Sequence, residues 1–72
     1  MKQANYRLVV GERGNEQGYI HECRAESLEG ARRALRRLMK PYGRDGWGVI
    51  CDVIGSEGNR QYPRIEHHGV AR

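Results

Sequence analysis

Phenylalanine is absent from this 72-residue chain, and only 38% of its residues are apolar. That is a lean supply at the size where a single hydrophobic core becomes marginal. The sequence predicts one domain over residues 1–72, with some burial at a partner or dimer surface; a monomer and a homodimer both fit. No apolar run is long enough to span a membrane. The first residues also lack the basic start, apolar middle and small-residue cleavage site of a signal peptide. The expected location is therefore cytoplasmic, with no membrane partner.

Cysteine is nearly as scarce. Cys23 and Cys51 are the two in the chain, on separate expected strands, and in a cytosolic setting free thiols are expected rather than a disulfide. No two cysteines have the short spacing of a zinc knuckle. The best metal set would have to gather Cys23, Cys51, His21 and one of His67 or His68, so neither a metal nor another cofactor is expected. Cys23 beside His21 lacks a third orienting group for nucleophilic catalysis. Ser27 and Ser56 serve better as a helix cap and a turn residue. The glycines of GRDGWG, residues 43–48, open no helix, so they do not form a phosphate-cradling loop. With no catalytic constellation, the chain is not expected to be an enzyme.

What the sequence does have is positive charge in one place. Between Arg24 and Arg44 lie seven cations and two carboxylates, a net of +5, whereas the rest carries six and seven, a net of −1. The overall +4 thus belongs to this stretch, whose central segment AESLEGARRALRRLMKPY also reads as the only helix. Ser27 can cap its first turn, although Gly30 leaves the capping box incomplete. Glu26 and Glu29 sit near the positive end of the helix dipole, and Arg36, Arg37 and Lys40 near the negative end. Pro41 stops the helix near Met39 or Lys40, giving a helix over 27–40.

At about 100° per residue, Leu28, Ala31, Ala34, Leu35, Leu38 and Met39 share an arc about 140° wide, which is meant for a core. Arg32, Arg33, Arg36, Arg37 and Lys40 fill a neighbouring arc, broken by Glu29. Such a face is either solvated or complementary to phosphates or carboxylates, which would relieve its self-repulsion. Eleven arginines against two lysines favour planar, bidentate contact, though a GC-rich genome has the same effect. Arg44 joins this set at the border of the following loop. Trp47 beside it could stack on a base, or serve as a lid on the core.

The remaining segments read as strands. Residues 5–10 and 19–24 alternate and are joined by the turn formers of GERGNEQG, giving a hairpin over 5–24. Residues 47–54, WGVICDVI, carry the strongest strand signal. After the turn cluster GSEGN, residues 60–66 form a weaker strand whose Pro63 confines it to a sheet edge. That makes a second hairpin over 47–66, and 67–72 is left as a tail. The order β-β-α-β-β, with a right-handed crossover, predicts an α+β fold: a small antiparallel sheet of order 2-1-3-4 with one helix on one face. The face meeting the helix is expected to hold Tyr6, Leu8, Val10, Tyr19, Cys23, Val49, Cys51 and Val53. Val9, Ile20, Ile50 and Ile54 are then left on the uncovered face, a second candidate contact surface.

The run Ala25, Glu26, Ser27, Leu28, Ala31, Arg32, Arg33, between a hairpin and an apolar strand, resembles the helix start of small phage-encoded anti-CRISPR inhibitors of type I surveillance complexes. Antitoxins of the HicB type share the hairpin–helix order, but their proline-glycine-cysteine segment is missing. Arm-type DNA-binding domains of tyrosine integrases have three strands before the helix, where this chain has two. The resemblance implies a non-catalytic inhibitor in the host cytoplasm, its basic helix face meeting acidic side chains or the nucleic-acid path of a defence ribonucleoprotein. Two alternatives stand beside it: a small domain that binds nucleic acid directly, and an antitoxin-like or structural oligomerisation domain.

Overall fold

The computed structural model describes residues 3–70. Residues 1–2 and the end of the expected tail at 71–72 lie outside the described residues. Strand β1 (Ala4–Glu12) pairs with β2 (Tyr19–Ala25); helix α1 (Leu28–Met39) follows, then a 3₁₀ segment (Lys40–Asp45), β3 (Gly46–Asp52) and β4 (Arg64–Gly69). The sheet has the order β2-β1-β3-β4 with every pair antiparallel. This is the expected α+β architecture. The crossover works because α1 is long enough to carry the chain over the sheet and set β3 beside β1.

Local chemistry sets the ends of the helix. Ser27 is the N-cap, in extended conformation, and its Oγ accepts from the Gly30 N–H at 3.4 Å. The α-helix closes at Met39, and Lys40 begins the tighter 3₁₀ segment containing Pro41. The loop expected after Pro41 is thus partly ordered, and β3 begins one residue earlier than the sequence suggests, at Gly46.

Below the helix, Tyr6, Leu8 and Val10 of β1 meet Ala31 and Leu35 in the main core, as expected. Cys23 packs at its margin, while Tyr19 is 57% exposed. The phase of β3 differs from the expectation. Val49 and Cys51 turn away from the helix, and Val53 lies past the end of the strand. Ile50 is instead the residue facing the helix, fully buried. The register explains this: Leu8 pairs with Ile50 and Val10 with Gly48, and cross-strand partners share a face. Gly48 then lies directly under α1, since a Cβ there would be 2.8 Å from Leu35 Cδ1 and from Met39 Sδ. The helix takes the face with the missing side chain.

The other face has its own apolar cluster. Trp47, Val49 and Cys51 are buried there, with Val9, Tyr62 and Val70 packed around them. Trp47 is the lid rather than a stacking platform. It is 1% exposed, and its indole N–H reaches the carbonyls of Glu12 and Asn15, both at 3.1 Å. Gly18 makes room for it: its φ is +69°, and a Cβ would be 2.6 Å from the indole ring. The position demands glycine twice over, for backbone and for space.

Strand β4 also departs from expectation. His67 and His68, expected in the tail, are strand residues paired with Val49 and Gly48. Pro63 falls before β4, where its carbonyl accepts from the Asp52 N–H at 2.9 Å. The register then shifts between Ile50 and Cys51. A proline at the strand entrance and a bulge just inside it are tolerated because β4 is an edge strand.

Candidate functional site

Helix α1 lies over the sheet with one flank toward β4 and the other toward β2, and its cations divide between them. Toward β4, Arg32 donates through Nε to Glu66 Oε1 and Oε2, at 3.0 and 2.9 Å, and its NH2 closes on the same carboxylate. Arg32 also bonds Glu29 at 3.2 Å, and Arg36 lies 3.6 Å from the other oxygen of Glu29. The β4 flank therefore sets two guanidiniums against two carboxylates.

The protonation of this network follows from its hydrogen bonds. Those from Arg32, then that of His68 (2.8 Å to Glu66 Oε1), hold the Glu66 carboxyl down at about 2. The same contacts, Glu66 first and Glu29 second, raise the Arg32 pKa above its already high ordinary value. Arg32 is accordingly a structural cation tying α1 to β4, and only 35% of its side chain is exposed. Its bidentate bonds are of the stronger, charge-assisted kind.

Arg33 and Arg37, toward β2, are exposed and form no ion pair among the described residues. They border an open groove between α1 and β2, made of two adjoining hollows of about 340 and 350 Å³. Its apolar part comes from Leu8, Cys23, Ala34 and Leu38; His21 adds a polar edge, and Glu26 lies at the Ser27 end. Arg24 lines both hollows. Glu22 lines the second hollow as well, and strand alternation sets both residues on the face opposite Cys23. Lys40 and Arg44 are exposed as well, beyond the last turn of the helix and in the 3₁₀ segment.

The six expected binding cations are thus not one surface. Arg33, Arg37, Lys40 and Arg44 remain without ion pairs among the described residues, while Arg32 and Arg36 are committed to Glu29 and Glu66. Glu66 is the residue sequence reasoning missed. Strand alternation puts it on one face with His68 only once 67–68 belong to β4.

The second expected surface does not form as a patch. Ile50 is fully buried under the helix, and Val9 is half-buried beside the Trp47 cluster. Ile20 is 59% exposed on β2. Ile54 lies beyond the end of β3, bridged to Gln61 and 49% exposed. The chain covers much of this face itself. Tyr62 packs there, its ring 3.5 Å below the Arg7 guanidinium, which also reaches Glu22 at 3.0 Å.

The cysteine and histidine candidates are likewise separated. Cys23 pairs with Tyr6 and Cys51 with Arg7, adjacent residues of one strand, so the two thiols lie on opposite faces of the sheet and are both free. Burial pushes the Cys51 thiol up, an effect opposed by the charges of Arg64 and Arg7. No group of three or more potential metal ligands occurs among the described residues. No described helix is long and apolar enough to cross a membrane. The chain matches no family model, no curated protein and no solved structure.

Proposed function

We propose that the protein is a non-catalytic binding module of the anti-CRISPR kind, docking on a host defence ribonucleoprotein through the β2 flank of α1. One observation carries this reading: Arg33 and Arg37 stand exposed beside a groove with no ion pair among the described residues, while cations one position away on the same helix are neutralised. Leaving two guanidiniums uncompensated is unfavourable for the free protein, and an anionic partner removes that cost. Blocking needs only a complementary surface. A standard interface takes roughly 800 Å² per partner, a modest part of the 5253 Å² the protein exposes. Lys40 and Arg44 extend the same positive region toward the 3₁₀ segment. A cytoplasmic location in the host follows from this role.

The test is capture of a purified type I surveillance complex by the protein and by Arg33→Glu/Arg37→Glu, with free duplex DNA as the competing ligand. The inhibitor reading expects capture of the complex, loss of it in the double variant, and little retention of duplex. Retention of arbitrary duplex without any protein, with affinity falling steeply as salt rises, would instead make the protein a direct nucleic-acid binder.

A further inference from the structure

We infer that the β2 edge and the adjoining groove take an extended acidic segment of the partner as a fifth strand, with alternate carboxylates meeting Arg33 and Arg37. This rests on the reading of those two arginines as binding residues, and adds the shape of what they bind. The sheet has two edges, and they differ. The β4 edge is entered from Pro63 and broken by a register shift. The β2 edge is unbroken: seven consecutive pairs run from Ala4–Ala25 to Val10–Tyr19. Its sequence, YIHECRA, contains no proline, and its charged residues Glu22 and Arg24 lie on the face away from the helix. Its outer row of backbone N–H and C=O groups has no partner strand among the described residues. Regular open edges of this sort accept a peptide strand by main-chain hydrogen bonds.

The helix is placed to read the side chains of such a strand. Gly30 abuts Ala25 at one end of β2, and Leu38 shares a hollow with His21 toward the other, so α1 runs alongside β2 in the opposite sense. Arg33 and Arg37 are one helical step of four apart, about 6 Å along the axis. Alternate residues of a strand, which point to the same face, are about 6.6–6.8 Å apart. Two carboxylates at positions i and i+2 of an added strand therefore match the two guanidiniums. An apolar residue two positions before or after this pair, on the same face, would find Leu38 and Ala34 in the groove. Charge selects this occupant over a second copy of the chain. Antiparallel pairing of two β2 edges would bring a second Arg33 and Arg37 over the same sheet face, adding repulsion.

The experiment uses three synthetic eight-residue peptides with blocked ends. One alternates Glu and Val, one has the same composition with the glutamates contiguous, and one is the alternating peptide N-methylated at every second amide. The intact protein and its folded Arg33→Glu/Arg37→Glu variant are titrated with each, and β2 amide protection is followed by hydrogen exchange. The expected result is binding of the alternating peptide with new protection on β2. Affinity should drop about tenfold or more for the contiguous and N-methylated peptides, and likewise in the double variant. Equal binding of all three peptides would overturn strand addition, as would protection confined to α1 or self-association through β2. If no peptide binds while the surveillance complex is still captured through Arg33 and Arg37, the edge proposal falls and the proposed function stands. If the same arginines retain only duplex DNA, both fall.

Discussion

On the β4 flank of α1, Arg32 and Arg36 are held by Glu29 and Glu66; on the β2 flank, Arg33 and Arg37 form no ion pair among the described residues. The four residues are neighbours in sequence and identical in chemistry. What separates them is the carboxylates on their side of the helix: Glu66 of β4 and Glu29 of α1 itself reach Arg32, Glu29 reaches Arg36, and neither reaches Arg33 or Arg37. A charged run on a helix is therefore two surfaces rather than one whenever carboxylates of the helix and the sheet lie on one side only. Here the compensated side fastens the helix to the sheet, and the bare side is available to a partner.

Removing what both flanks share gives the largest effect. Leu35 is fully buried between α1 and the sheet, so Leu35→Ala should cost about 2–5 kcal/mol, a large part of a small domain's stability. Denaturant titration checks it, and a midpoint close to the parent's would mean that the helix does not sit on this core. Next comes the contrast between flanks. Arg32→Gln strands Glu66 against the helix and should lower the melting temperature clearly. Arg33→Gln with Arg37→Gln should shift it by no more than about 3 °C. Equal shifts from the two would erase the distinction.

Acid should act on the β4 flank alone. The Glu66 carboxyl titrates near 4.5 when unfolded and near 2 when folded. Its contribution is thus fully present above pH 4.5 and lost as the pH falls toward 2. A pH series of melting curves should show a smaller decline over that interval in Glu66→Gln than in the parent. An identical decline would remove Glu66 from the account. The smallest effect concerns the two faces of the sheet. Cys23 is half-buried, whereas Cys51 is 8% exposed with its thiol pushed up. A thiol reagent should therefore label Cys23 first in the folded protein. Reductant should leave the melting temperature unchanged.

Much of the fold was legible in the sequence because its signals were local. Ser27, the apolar arc of α1 and Pro41 marked the helix, and period-two alternation with glycine-rich turns marked β1, β2 and β3. Strand order followed from the handedness of the crossover. The phase of β3 was not legible from alternation alone, since Val49/Cys51/Val53 and Ile50/Ile54 are both apolar sets. The deciding signal was negative: Gly48, a missing side chain where Leu35 and Met39 press down. His67 and His68 read as tail because Pro63 and a bulge obscure the entrance to β4. The division of the basic arc was not legible. Arg32 and Glu66 are 34 residues apart in sequence, and they meet only once β4 has a register.

The most direct test of the account compares two charge-reversal variants in one capture assay with a purified type I surveillance complex. Arg33→Glu/Arg37→Glu alters the β2 flank, and Arg32→Glu/Arg36→Glu the β4 flank, with melting curves recorded for both. The account predicts that the first variant melts like the parent yet loses capture, because attraction becomes repulsion across a close interface. It predicts that the second is destabilised but, wherever still folded, captures the complex. Full capture by a folded Arg33→Glu/Arg37→Glu protein would contradict the account, leaving the bare flank as ordinary solvated surface.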